Sequence, residues 1–283
     1  MANLGDPSAL RWLIGVELHN YRKRARRTLA AAAKELGCTA GMVSHFEKGL
    51  HFPQPAQIDG LLSFYGAPAW DVERLSSLTG RAEQSSWLAR WNDIIPDWTK
   101  TFVGLEGLAS REITYMPLVL HALLQIEEYS IGATAGSARV RPDQVERLVS
   151  LRMERQRRLY SDADPLRLTA VIEESVLDRP IGDAATMRAQ LEHLVELSAR
   201  DNVDILVLPT EVGRHDSLEG KFSVLHFEQA QSIGYIEYPD GAIYVQDQDQ
   251  VAAYTRTAES LCSVALPQRE SLEAIIVRLA ALT

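Results

Sequence analysis

The stretch TLAAAAKELGCTAGMVSHFEKG, Thr28 to Gly49, reads as two short helices joined by a tight turn, and the rest of the chain is placed around it. Thr28 is an N-cap residue, and the alanines behind it have the highest helix propensity of any side chain. Gly37 follows Leu36, where a helix ends and the backbone needs a left-handed residue. Thr39 is a second N-cap, Val43 and Phe46 recur at helical spacing on a face to be buried, and Gly49 ends the second helix. Two helices of this length around a glycine-containing turn match the helix-turn-helix plan, whose second helix enters the DNA major groove.

Upstream, after a frayed tail at 1–8, Leu10, Leu13, Ile14, Val16, Leu18 and Tyr21 mark a first helix from Ala9 to about Arg27. Its end, YRKRARR, sets five basic side chains before the second helix. They read either as phosphate contacts, through Arg22, Arg24 or Arg27, or as a solvated basic helix end that complements the helix dipole. In the second helix of the pair, burial of Val43 and Phe46 leaves Ala40, Gly41, Ser44 and His45 toward DNA, with Met42 beside them. Ser and His can hydrogen-bond base edges or phosphates, while Ala or Gly admits close approach or touches a thymine methyl. The alternative for His45 is a plain surface position. Lys48 and His51 read as backbone clamps, and Thr28 and Thr39 are further candidate contacts at the two helix starts. Pro53 and Pro55 then break the chain. A fourth helix over Ile58–Gly66 and a fifth over Ala69–Leu78 close a five-helix head ending near Gly80.

The same stretch resembles the XRE-type helix-turn-helix family, whose pattern is met at Thr28, Ala33, Leu36, Gly37, Thr39, Val43, Ser44, Glu47 and Gly49. It departs at Leu29, where the family usually has a phosphate-binding Gln, and at Ala40 and Gly41, where bulkier polar residues often open the recognition helix. The resemblance implies a DNA-binding head in which Glu47 is structural, pairing a basic residue of the first helix.

The chain has 283 residues, enough for one large domain or two ordinary ones, and its 46% hydrophobic and 24% charged content is that of a soluble globular protein. A net charge of −9 looks wrong for a DNA binder until it is divided. Residues 10–52 carry eight Lys/Arg against three Asp/Glu, whereas residues 81–283 carry 20 against 31. A basic head on an acidic body is the implied arrangement. Two isolated cysteines, Cys38 and Cys262, fit a reducing compartment, and neither a signal-peptide pattern nor a membrane-length apolar run is present, so a cytoplasmic protein without membrane contact is expected.

Beyond the head, Trp87 and Trp91 lie four apart on one helical face, to be used in core packing or in a ligand pocket or dimer interface. Pro96 splits the stretch 81–115 into helical pieces that act as a linker, and MPLVLHALLQIEEY, Met116 to Tyr129, follows as an apolar run. Strand candidates are LRLTAVI (166–172), VDILVLP (203–209), FSVLHF (222–227), IGYIEY (233–238) and AIYVQ (242–246), with a hairpin turn at Pro-Asp-Gly 239–241. Amphipathic helices span Arg188–Arg200, Gln248–Val264 and Leu266–Leu282. The expected class is α+β: an all-α five-helix head at 1–80, the linker at 81–115, and a mixed α/β domain at 116–283 with a mixed rather than a purely parallel sheet.

This half also resembles the C-terminal domain of actinobacterial XRE-type regulators with an antitoxin-like C-terminal domain, the WhiJ-like family. The family's motifs are met at Leu123, Leu124, Gln125 and Tyr129, at Arg152, Arg155, Gln156 and Leu159, at VIEESVLDRPIG (171–182), from Met187 to Pro209, at Gly220 to Phe222, and from Ile243 to Tyr254.

No phosphate loop, Zn-spaced Cys/His set or nucleophile elbow is present, so no metal, cofactor or catalytic residue is expected. Glu173 and Glu174 are adjacent at a strand end and point to opposite faces, as a surface acid and a helix-cap acid. His215 and Asp216 lie in the loop EVGRHDSLEG, read as a solvated connection or a pocket cap. The leading expectation is a regulator that binds double-stranded DNA as a homodimer and responds through its C-terminal domain to a small-molecule effector or a small partner protein. The alternative is an antitoxin-like protein that holds a small partner and autoregulates its operon. An effector pocket would draw on Trp87, Trp91, His121, Gln125 and Tyr129.

Overall fold

Caps and turns fold as their residue types dictate in the computed structural model, which describes residues 6–78 and 86–282. Helix α2 (Leu29–Leu36) starts at Thr28, whose hydroxyl accepts the Ala31 amide at 3.1 Å, and stops at Gly37 with φ of +65°. Helix α3 (Ala40–Glu47) starts at Thr39, whose hydroxyl accepts the Met42 amide at 3.2 Å. With α1 (Pro7–Arg24), α4 (Pro55–Phe64) and α5 (Ala69–Ser77) they make the five-helix head. Pro55, expected to break the chain, instead opens α4, where its missing N–H has no helical partner to lose. Gly80, the expected end of the head, lies outside the described residues.

Helix α1 is buried on two sides. Leu10, Ile14, Leu18 and Tyr21 pack in the head with Val43, Phe46, Ile58 and Leu62. Ala9, Leu13 and Val16, on the adjoining stripe, belong to the core of the second domain. Polar contacts fix the same junction: the Gln231 amide donates to Glu17 Oε1 at 2.7 Å, and Asn20 donates to the Gln246 carbonyl at 3.2 Å. Trp12 meets Tyr244 with ring centroids 5.0 Å apart.

The second domain is built on six strands: β1 (Arg111–Met116), β2 (Arg167–Glu173), β3 (Val203–Leu208), β4 (Phe222–His226), β5 (Ile233–Tyr238) and β6 (Gly241–Val245). Their order is β3-β2-β1-β4-β5-β6. The first three run parallel, and β4, β5 and β6 are antiparallel additions on the other side of β1. The expected mixed sheet is therefore present, and β5 and β6 turn through Pro239–Asp240 as the hairpin signal indicates. One face is covered by α6 (Asp97–Leu108), α7 (Glu127–Ala135), α8 (Val145–Gln156), α10 (Ala184–Leu197) and α12 (Gln268–Ala281), after a short α9 (Glu174–Asp178). The other face is covered by α11 (Gln248–Val264).

One expectation is corrected. The linker assigned to 81–115 is not helical throughout: Arg111–Met116 is a central strand paired on both sides, so the mixed domain begins before 116. The apolar run Met116 to Tyr129 leaves β1 at Met116, crosses through one 3-10 turn at Ala122–Leu124, and enters α7 at Glu127. Leu120, Leu123 and Leu124 in that crossing are buried, which accounts for its apolar character without a regular element.

Candidate functional site

Val43 and Phe46 are buried and hold α3 on the head, so its opposite face is presented outward. Ala40, Gly41, Met42 and His45 are exposed on that face, and Ser44 is half-buried. Lys48 and His51 follow, both exposed, with the rings of His45 and His51 5.2 Å apart. A Cβ added to Gly41 would meet only Thr39 Oγ1, at 3.8 Å, so nothing inside the protein requires glycine there. Gly15 is the opposite case: a Cβ would lie 2.6 Å from the Phe46 carbonyl oxygen and 2.8 Å from that of Glu47. Helix α1 thus lies directly against the end of α3. Thr28 and Thr39 spend their oxygens on the caps, which leaves each hydroxyl proton free to donate outward.

Arg22 is not on this surface. Its Nε and Nη2 donate to Glu47 Oε1 and Oε2 at 2.5 and 2.7 Å, and its Nη1 donates to the Arg27 carbonyl at 3.0 Å. Burial works against ionisation of Glu47, but the hydrogen bonds from Arg22 and His19 outweigh it and hold the carboxyl below its usual range. The phosphate role considered for Arg22 is withdrawn, because its donors are consumed in tying α1, the following turn and α3 together. Arg24 lies over the Tyr21 ring at 5.4 Å and Arg27 over Phe64 at 4.8 Å, and both are exposed. Leu29, in the place of the expected Gln, packs half-buried on the head core.

In the second domain a cavity of about 380 Å³ opens between the sheet, α6 and α8. It sits at the carboxyl end of β1, where strand order reverses between β2 on one side and β4 on the other. Crevices at such reversals are the ligand sites of open α/β sheets. Phe102, Met116, Leu148 and Leu151 form apolar walls, and His121, Gln125, Arg152 and Arg155 supply polar groups. Below it Arg155 donates to Glu106 from Nε at 2.9 Å and from Nη2 at 2.6 Å. His121 Nδ1 accepts the Leu123 amide at 3.4 Å, which places the proton of the neutral ring on Nε2, 3.4 Å from Glu112 Oε1. Burial, reinforced by Arg155 and Lys221, holds the His121 pKa well below its usual value. Burial and then the charge of Glu106 push the Glu112 carboxyl up to about 8. Glu106, Glu112 and His121 come within 4.8 Å of one another, but both Glu106 oxygens already serve Arg155, so the cluster is an internal charge network.

Residues 13–75 match the family described as Helix-turn-helix domain, and residues 99–276 match the family described as Domain of unknown function (DUF5753). The chain belongs to the DUF5753 family. No curated protein and no solved structure matches it. The helix-turn-helix match covers the head around the face of α3 and supports DNA binding by this DUF5753 protein. No described helix is long and apolar enough to cross a membrane.

Of the residues expected in an effector pocket, the DUF5753 domain brings His121 and Gln125 to the cavity wall. The other three lie elsewhere. Trp91 is buried against α8, its indole N–H donating to the Arg147 carbonyl at 3.0 Å, with Trp87 edge-on to it at 5.6 Å. Tyr129 is fully buried behind the wall, its hydroxyl receiving the Leu120 amide at 3.4 Å. Sequence reasoning placed Arg152 only as a family-motif position, not in a pocket, and missed Glu112; the alternation of REITYM was the available signal for Glu112, though it does not say which face of a strand is covered. The loop carrying His215 is not wholly solvated: His215 Nε2 lies 3.3 Å from Glu173 Oε1, which also accepts from Tyr115 at 2.6 Å. Glu174 faces away and accepts from Arg278 at 2.7 Å and from the Thr210 amide at 3.0 Å.

Proposed function

We propose that the protein is a sequence-specific DNA-binding transcriptional regulator, acting as a homodimer, whose second domain mediates dimerisation and responds to an effector. The observation that carries this is the outward face of α3, small at Ala40 and Gly41 and polar at Ser44 and His45, with Lys48 at its end and Arg24 and Arg27 exposed elsewhere on the same head. Small residues let a helix approach base edges closely, and the exposed cations supply phosphate affinity. A dimer is inferred because one such head reads about one half-site, and paired heads span sites about 10 base pairs apart. No reaction is assigned, since Glu173 and Glu174 are both engaged in structural contacts. The cavity at the strand reversal supports an effector as the input.

The test is selection from random duplex DNA, with Ser44→Ala/His45→Ala as the comparison protein. The wild type is expected to enrich a two-fold symmetric motif, and the double variant to lose that discrimination while keeping its helix content and association state. Equal discrimination by both proteins would remove α3 as the reading element.

A further inference from the structure

Four cationic side chains line the cavity, and their partners differ. Arg155 is neutralised by Glu106 at 2.6 Å, Lys221 by Glu237 at 3.1 Å, and Arg139 by Asp240. Arg152 has no carboxylate within 4.0 Å among the described residues. Its Nη1 donates to Ser130 Oγ at 3.0 Å and to Thr134 Oγ1 at 2.6 Å, both neutral acceptors, and these fix the guanidinium from behind. Burial lowers its pKa to about 10, still far above neutrality, so it remains a cation. A half-buried cation held in place by neutral groups on one side and open to a cavity on the other, with Glu237 nearby but paired to Lys221, has no anion in direct contact.

Gln125 supplies a second vacancy. It is 4% exposed, and its Nε2 donates to the Leu120 carbonyl at 2.8 Å. That carbonyl can only accept, so the amide orientation is fixed and Oε1 is the free atom. Oε1 has no hydrogen-bond partner among the described residues. The wall is apolar at Phe102, Met116, Leu148 and Leu151 and also carries Thr99, Ser223 and the Lys221-paired Glu237, and the cavity volume corresponds to about a dozen water volumes.

We propose that the cavity binds a small organic anion, with its carboxylate on Arg152, its apolar body against Phe102, Leu148 and Leu151, and a hydroxyl or N–H donor on Gln125 Oε1. A planar or compact body of about a dozen non-hydrogen atoms suits the volume, and a bidentate carboxylate suits the guanidinium. The inference deepens the effector reading above and rests on it for the regulatory consequence alone; binding itself is measured without DNA.

Indole-3-acetate carries all three features and serves as the probe. Indole-3-ethanol lacks the charge, and 1-naphthylacetate lacks the donor. Calorimetric titration of the full chain is expected to give one site for indole-3-acetate, with indole-3-ethanol about tenfold weaker or more. Arg152→Met is expected to abolish the preference for acid over alcohol, and Arg152→Lys to keep it in reduced form. Gln125→Leu should bring indole-3-acetate and 1-naphthylacetate together. Absence of saturable binding below about 1 mM, or equal binding of acid and alcohol by the wild type, overturns the proposal whatever the folding of the variants. If the acid binds but DNA retention is unchanged, the site stands and the effector reading falls.

Discussion

Glu47→Ala tests whether the recognition helix is held by the buried ion pair. The Glu47 side chain is 6% exposed and that of Arg22 9%, and two charge-assisted hydrogen bonds join them. Removing one partner of a buried pair costs about 3–5 kcal/mol, because the other charge stays buried without compensation. The lower end applies, since Arg22 keeps its bond to the Arg27 carbonyl. The partly exposed His19, also bonded to Glu47, can return to water and adds little. A loss of about 3 kcal/mol corresponds to a fall in Tm of roughly 6–12 °C for a chain of this size. Scanning calorimetry at pH 7 measures it, with Arg22→Met and the double variant completing a cycle; the double variant should recover most of the loss. Glu47 has a depressed folded-state pKa, so its contribution is present above the unfolded carboxylate pKa and is lost as pH falls through the lower folded value. The difference between Glu47→Ala and wild type should therefore shrink in acid. A Glu47→Ala protein within about 1 kcal/mol of wild type, or a double variant no better than the singles, would refute the lock.

Arg24→Ala should leave Tm unchanged and flatten the salt dependence of DNA binding by about one phosphate contact, measured as the slope of log affinity against log salt. Gly15→Ala places a methyl into the backbone of α3 and should destabilise the head by about 1–3 kcal/mol or more in denaturant unfolding. Gly104→Ala meets Ala9 Cβ at 2.5 Å instead, and should loosen the junction of α1 and α6, read as faster amide exchange in α1. For Glu112 the folded pKa is raised, so its contribution is complete below the unfolded carboxylate pKa and is lost as pH rises through about 8. Glu112→Gln should consequently gain stability over the wild type as pH rises to 9, seen by thermal unfolding across that range.

The head was legible because its signals are local. Thr28, Gly37, Thr39 and Gly49 act on the turn in which they stand, and all four adopt the caps and left-handed positions their residue types favour. Strand β1 was not legible for the opposite reason. REITYM sits among helical stretches, and only pairing with β2, more than fifty residues later, makes it a strand. Helix α1 shows a subtler failure: Leu10, Leu13, Ile14, Val16, Leu18 and Tyr21 read as one apolar face, yet they are two adjoining stripes serving two cores. A wide apolar arc was the signal. The cavity was half legible, since His121 and Gln125 stand in one segment, whereas Arg152 reaches it from α8 and could be placed only by the fold.

That double use of α1 constrains how an effector can act on DNA binding. Phe102 lines the cavity and stacks on Tyr235 with ring centroids 4.1 Å apart, and two residues further along α6 Gly104 lies against Ala9 of α1. Trp12, between them and the head, packs on Tyr244 and beneath Gly49, the residue that ends the recognition segment. A shift of α6 is therefore delivered to the head through packed atoms rather than through a tether. An occupant of the cavity that favoured one position of α6 over another would change DNA affinity to the extent of that preference. The coupling must then be reciprocal. If indole-3-acetate alters affinity for the selected DNA by some factor, that DNA must alter affinity for indole-3-acetate by the same factor. Unequal factors would mean that the acid acts on DNA binding from a second site outside the cavity.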